Sequence, residues 1–543
     1  MTVRRRSSRQ VVSAAVLLAA GATAAVFAFA TNGSAARRGS AVSNATSGTL
    51  VVNINTGPAT IDPRDMTSFF DTLGLNFYVR LMAYGTKRGP VGTRQVDAQH
   101  MTPYLARSFR VDKARKVYTF KLRTGLRFPS GVPVDARAVK CSLERSMTGI
   151  GSYFLQDGIP GNLTSITAPN RTTVVLKLKQ PDPSILQGWA QPAASIIDCA
   201  AEKKQAKTWL ATHEVGAGPF RLVSYQPNRQ MVLAARPSFT AWARRNGLPT
   251  ARASRIVVNF INSDSTLLLQ ARRGAANVTI GLSKRSVASL RSNNNVKIGT
   301  YPTTIQEQML LPWDKAPWKN KRFREGITYA VPYQQILSRI AYGYGKLYFG
   351  PLPPLMQFYN AKLSKPRPFN LNRARQLIQS SGVSTPVNVT LTIDEGNTVH
   401  SQIATLLQSL WKTLGVNLNV QTLAPADYTG AMFGFKVQSA IRYDGPGVID
   451  AGYYLGYDMR TNVVGIGKNI NLMSIPAADR LLDRARRSLN PKTRQSLYNR
   501  ITTMWRANSP KIVFYNDVAT VVLSRATRSF TYYHEPDMRS WSK

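Results

Sequence analysis

Residues 387–423 constrain the fold more than any other part of this chain. Val389, Leu391 and Ile393 alternate with Thr390 and Thr392, the period-2 pattern of a strand. Ile403, Leu406, Leu407, Leu410 and Leu414 then recur at helical spacing, and Gly415 stands where that helix should end. Val416, Leu418 and Val420 alternate again. A strand, an amphipathic helix and a second strand this close together make a βαβ unit, with parallel strands and a right-handed crossover. Such units build open α/β sheets, whose ligands bind outside the carboxyl ends of the strands, where lobes face one another. At 543 residues the chain is too long for one core, so two or three lobes are expected.

A second informative stretch is residues 105–145. Tyr118, Phe120 and Leu122 alternate with Thr119, Lys121 and Arg123, as in a half-buried strand. Gly125 and the Pro129-Ser130-Gly131 run supply turn residues. Asp135 precedes Ala136 as a helix N-cap should, and Val139 and Leu143 lie four apart on one face. None of this is catalytic.

The order of these residues nevertheless resembles the signature of the family 5 extracytoplasmic solute-binding proteins, the oligopeptide- and dipeptide-binding proteins of ABC importers. That pattern is Y-T-F-x-L-R, then G-x-x-F-x-x-G-x-P-x-x-A-x-x-V, then S-x-E-R. It is met by Tyr118-Thr119-Phe120, Leu122-Arg123, Gly125, Phe128, Gly131, Pro133, Ala136, Val139 and Ser142-Leu143-Glu144-Arg145, with Ser130 where an Asp or Asn is usual. Further matches follow in family order. They are Ile61-Asp62-Pro63, Lys179 to Leu186, Val215-Gly216-Ala217-Gly218-Pro219-Phe220, Gly350-Pro351-Leu352-Pro353-Pro354 and the return through Ser509-Pro510.

The resemblance implies an α/β, periplasmic-binding-protein-like fold, with two large lobes on a hinge and an extra α/β subdomain. Lobe I would comprise residues 49–76, 214–305 and 510–543; lobe II, the extra subdomain, residues 77–213; and lobe III residues 306–509. Leading into lobe II, residues 69–84 read as a helix whose aromatics belong to the core. Cys141 and Cys199 either form one disulfide closing a loop of about sixty residues or remain two separate buried thiols.

Residues 1–38 read as a signal peptide or N-terminal membrane anchor. Arg4, Arg5, Arg6 and Arg9 precede an apolar, alanine-rich run over residues 11–30, and residues 39–48 follow as a linker. The protein is therefore expected outside the membrane, either exported or held by an uncleaved helix. The net charge is +44, and removing residues 1–38 takes away six arginines and no acids, leaving +38. The Lys and Arg are spread along the whole chain without a basic, aromatic-interleaved nucleic-acid motif.

In peptide-binding members, a loop reading W-x-x-D-Y-x-D-P supplies an aspartate for the ligand's ammonium group and an aromatic beside it. The corresponding stretch here is residues 441–450. Tyr443 and Asp444 would take the aromatic and acid roles, or Asp450 would match the later aspartate. Arg442 beside them would suit a ligand carboxylate or phosphate instead.

The leading expectation is thus a monomeric binding protein that captures a solute, a peptide before other classes, and passes it to a permease and its ATPases. No cofactor or metal is called for. Two alternatives are an exported hydrolase with a site assembled only in the fold, and a basic cell-surface or nucleic-acid-binding protein. There is no G-x-S-x-G, no H-E-x-x-H and no phosphate loop, and His100, His213, His400 and His534 stand without a motif.

Overall fold

Three sheets carry the architecture of the computed structural model, which describes residues 48–543 apart from 67–70, 157–160, 464–468 and 534–535. The expected targeting segment and nearly all of the linker lie outside the described residues, as do Phe69, Phe70 and His534. Residues 45–543 form one compact unit.

The largest sheet runs through two cores. Thr49–Ile54 pairs in parallel with Arg255–Phe260 and with Val278–Ile280, and Phe220–Gln226 with Gln230–Ala235 makes a hairpin at one edge. At the other edge Val387–Asp394 and Val416–Leu423 pair in parallel, joined by the helix Thr398–Lys412. This is the βαβ unit read from the sequence. Ile403, Leu407 and Trp411 bury its helix against Val389, Leu391 and Leu418.

Two long strands, Val296–Leu310 and Lys511–Ser524, join these halves. Their outer ends lie with Leu50, Val52 and Ile256 in one core, through Tyr301, Val521 and Leu523. Their inner ends lie in the other, through Met309, Ile512 and Phe514. The ladder breaks between Pro302 and Gln306. There Asn516 Nδ2 donates to the carbonyls of Thr303 (3.2 Å) and Ile305 (2.5 Å), and Thr303 Oγ1 donates to the Asp517 carbonyl (2.7 Å). Buried carbonyls displaced from a ladder need such partners.

A separate four-stranded antiparallel sheet contains Ala106–Val111, Val117–Leu122, Thr173–Leu178 and Leu163–Asn170. Tyr118, Phe120, Val174 and Leu176 bury one face against Val139 and Leu143 of the helix Ala136–Ser146. Asp135 caps that helix, accepting from the N–H of Arg137 and Ala138. The helix Pro237–Arg245 also belongs here, because Phe239 and Trp242 are buried in this core and Trp242 Nε1 donates to the Thr124 carbonyl.

The chain crosses between this core and that of the large sheet at three places that lie side by side. Val79 bridges to Ile196, Ile197 bridges to Gly216, and the Gly218 N–H donates to the Phe77 carbonyl (2.8 Å). A Cβ on Gly216 would stand 1.9 Å from Phe77 O, and one on Gly218 2.4 Å from Tyr78 N, so no side chain fits at either. The same crossing corrects one expectation. Residues 69–84 do not form a single helix: Asp71–Phe77 is a short 3-10 turn and Met82–Arg88 a strand paired to Arg94–Pro103. Buried on every side, residues 73–82 follow the tertiary path between cores rather than helical periodicity.

Cys141 and Cys199 are bonded, tying the signature helix to Cys199–Glu202. Beside the disulfide, Arg145 grips Asp62 with two bonds of 2.7 and 2.6 Å and Glu202 with a third of 2.9 Å. Burial opposes the guanidinium charge, but the two carboxylates outweigh it and hold its pKa above the usual arginine value. Ser130 Oγ donates to Asp198, which caps Cys199–Glu202. Breaking a buried ion pair leaves a charge without a partner, at a cost of about 3–5 kcal/mol. Arg145→Ala should therefore lower the unfolding free energy in urea by about that much; a loss below ~1 kcal/mol, the ceiling for surface pairs, would show the cluster to be incidental.

Candidate functional site

The strand Ala440–Asp444 lies between Val387–Asp394 and Val296–Leu310, with Asp444 opposite Gln306, Tyr443 opposite Glu307 and Arg442 opposite Gln308. Because side chains alternate along a strand, Arg442 and Asp444 share one face and Tyr443 takes the other. The sequence-predicted residues therefore divide between two polar clusters.

On the first face, Arg442 Nη2 pairs with Asp444 Oδ2 at 2.8 Å and donates to Tyr457 OH at 3.2 Å. Lys511 Nζ pairs with Asp458 at 2.7 Å and reaches Tyr454 OH at 3.2 Å, and Gln306 donates to the same hydroxyl at 2.6 Å. Burial pushes the Asp444 carboxyl up, against the pull of Arg442 and Lys511, and holds the Lys511 ammonium below its usual range. Arg442 is held above its own, since Asp444 and Tyr457 outweigh its burial. With 8% of its surface exposed and two partners, Arg442 is not offered to a ligand carboxylate.

On the second face, Tyr443 donates to Asp517 Oδ2 at 2.6 Å, and Lys284 Nζ stands 3.0 Å from Asp517 Oδ1. Tyr443 keeps 52% of its surface exposed. Enough protein surrounds it that burial, and then the Asp517 charge, raise its phenol pKa. This leaves an aromatic side chain half-exposed at the end of the strand. Behind it, Glu307 accepts from His400 Nε2 (2.9 Å) and from Tyr515 OH (3.5 Å), and Asp394 engages His400 Nδ1. Burial raises the Glu307 pKa in spite of His400. Burial disfavours the imidazolium, but Glu307 and Asp394 together raise the His400 pKa.

Asp450 is not part of either cluster. At 1% exposure it caps the helix Ala451–Asp458, accepting from the N–H of Gly452 (2.7 Å) and Tyr453 (3.0 Å), and pairs with Arg494 at 3.3 Å. Its oxygens are occupied, so the structure places it in the scaffold. Opposite the loop that follows Asp444, Phe154 packs on Gly447, and Asp182 pairs with Arg486 of the helix Pro476–Arg487 at 3.5 Å. A concavity of about 520 Å³ beside Arg339 and Ser401 is lined by none of the cleft residues.

Asp517, Lys284, Glu307 and His400 were not read from the sequence. One signal was present: Gln306-Glu307-Gln308 and Asn516-Asp517 interrupt strands that are otherwise largely apolar. Among the described residues no group of three or more His, Cys, Asp or Glu is placed to hold a metal ion, and no helix is long and apolar enough to cross a membrane.

Residues 100–463 match the family described as bacterial extracellular solute-binding proteins, family 5 middle. The chain belongs to this family. Family 5 proteins are binding proteins rather than enzymes, and they serve ABC importers. The chain is 28% identical, over 80% of its length and 82% of the relative's, to the probable D,D-dipeptide-binding periplasmic protein DdpA of Escherichia coli K12. It is 24% identical over 76% of its length to glutathione-binding protein GsiB of Escherichia coli, covering 75% of that relative. Among solved structures, the periplasmic binding protein DppA of Helicobacter pylori in complex with the peptide STSA superposes with a TM-score of 0.78 at 21% identity, covering 91% of this chain and 98% of that one. AgaA of A. tumefacien R10 in complex with agropinic acid gives 0.74 at 19%, covering 89% and 95%.

The pH dependence of the second cluster has a definite sign. A histidine whose folded pKa is raised contributes stability that is fully present below the ordinary value of about 6.5 and is lost as pH rises through the folded value. Wild-type protein should therefore lose more of its melting temperature between neutral and alkaline pH than His400→Gln does. Equal slopes in a thermal-unfolding series would remove His400 as the cause.

Proposed function

We propose that this family 5 protein captures a short peptide in the cleft beside Tyr443 and Asp444 and delivers it to an ABC permease with its ATPases. The observation that carries the reading is that a half-exposed Tyr443 and an Asp444 carboxylate oriented by Arg442 stand on the two faces of one strand at its carboxyl end, in an open α/β sheet. The peptide ammonium pairs with Asp444 at the carboxyl end of the strand, and Tyr443, which leaves that end on the opposite face, flanks the ligand from its other side. Arg442 acts through Asp444 and is a positioning residue. The names of the relatives support a peptide over other solutes, and the engaged state of Arg442 disfavours an acidic one.

The lobes proposed for this motion are residues 49–76, 214–305 and 510–543; 77–213; and 306–509. Support for these boundaries comes from the triple crossing at Phe77, Ile197 and Gly216 and from the broken ladder at Pro302–Gln306. The helix Pro237–Arg245 moves with the second lobe, whose core it fills. The protein acts as a monomer outside the membrane, released or tethered by its N-terminal apolar run.

A ligand that binds only the folded state raises apparent stability, by ~2.7 kcal/mol at a hundredfold excess over Kd. Free di- and tripeptides should raise the melting temperature, and the same peptides N-acetylated should not, because the acetyl group removes the ammonium charge. Asp444→Asn should weaken peptide binding by 2 kcal/mol or more, about thirtyfold in Kd by calorimetry. Equal binding of free and acetylated peptides would overturn the role given to Asp444.

A further inference from the structure

The charge of +44 has no part in the cleft, where cations and acids are matched: Arg442 with Asp444, Lys511 with Asp458, Lys284 with Asp517. The excess is densest in the four-stranded sheet. Between residues 107 and 127 eight Lys and Arg stand against one acid, Asp112. That acid is used within its own turn, accepting from the N–H of Lys116 (2.7 Å) and Val117 (2.9 Å).

Sheet geometry decides where these cations point. Tyr118, Phe120, Leu122, Leu176 and Leu178 face the core, so Lys121 and Lys177 face outward. Arg107 and Arg110 lie exposed on the edge strand, and Lys113 and Arg115 continue the charge around the hairpin turn. The register sets Lys121 opposite Ser108 and Thr173, so the cations are distributed over three strands rather than stacked in one row. The ion pairs nearby, Arg171 with Asp135 and Lys140 with Glu144, involve none of them. Burial, and then the neighbouring Arg107 charge, lower the Arg123 pKa.

We propose that this outward sheet face docks on an anionic lipid leaflet. The choice of occupant rests on the function proposed above, which brings the protein to a membrane-embedded permease; an anionic leaflet is then the polyanion that it must approach. A broad face with strands about 4.8 Å apart presents separated cations to a planar array of headgroups. Single-stranded nucleic acid would need exposed rings for its bases, and the outward positions between the cations are Thr119, Val175 and Ser165.

The test uses residues 45–543, the compact unit that carries every core, sedimented with phosphatidylcholine vesicles with and without phosphatidylglycerol. One variant carries Arg107→Gln, Arg110→Gln, Lys121→Gln and Lys177→Gln. A control carries as many charge losses elsewhere: Lys203→Gln, Lys204→Gln, Lys207→Gln and Arg273→Gln. Each cation near an anionic bilayer strengthens binding roughly fivefold. Binding should therefore require phosphatidylglycerol, disappear at high salt, and weaken at least ~tenfold in the sheet variant but within about threefold in the control. No binding to anionic vesicles, an equal loss in the control, or displacement of the vesicles by DNA would each overturn the proposal. Peptide-induced thermal shifts on the same proteins report separately on the cleft, so a failed surface and a failed binding site give different results.

Discussion

Arg145 is the residue on which the relation between the first two cores depends. It leaves a helix of the four-stranded-sheet core, reaches Asp62 in the loop after the first strand of the large sheet, and also holds Glu202 next to the disulfide. A guanidinium presents five N–H donors in a planar fork, so it can hold one carboxylate bidentately and a second one alongside. Since burial alone would disfavour the charge, the arrangement depends on both carboxylate partners. The triple chain crossing a short distance away is thereby held in one geometry, and Gly216 and Gly218 let the strands approach closely enough to form it.

This gives a physical meaning to the signature stretch. Its strand and apolar helix positions build a core, its Asp135 caps the helix, and its final arginine makes the connection to Asp62. None of these roles concerns the ligand. They fix the platform from which Phe154 meets Gly447 in the loop after Asp444 and Asp182 meets Arg486 of the helix Pro476–Arg487.

Much of the fold was legible where local rules act without competition. The βαβ unit and the Asp135 cap follow from periodicity and capping chemistry. The helix expected over residues 69–84 failed because residues 71–82 are buried on all sides, which erases the one-sided pattern a helix needs. The site was legible only in part. Tyr443 and Asp444 were named, but strand alternation sends them to opposite faces, and Tyr443 finds its partner seventy-four positions away at Asp517. His400 meets Glu307 and Asp394 through the register of three strands, which no short motif encodes. Asp450, followed by Ala451-Gly452-Tyr453, carried the pattern of a helix cap.

The strand Lys511–Ser524 runs between Val278–Ile280 and Val296–Leu310 in the interior of the large sheet, although it is made almost last. The order of synthesis and the order of strands are therefore at odds. Until residue 524 has emerged, Val296–Leu310 and Val278–Ile280 each lack a neighbour, and the core containing Leu50 and Val52 lacks Val521 and Leu523. Long-range pairings of this kind delay folding to the end of the chain. A polypeptide built this way keeps its largest sheet unfinished until Lys511–Ser524 has been made.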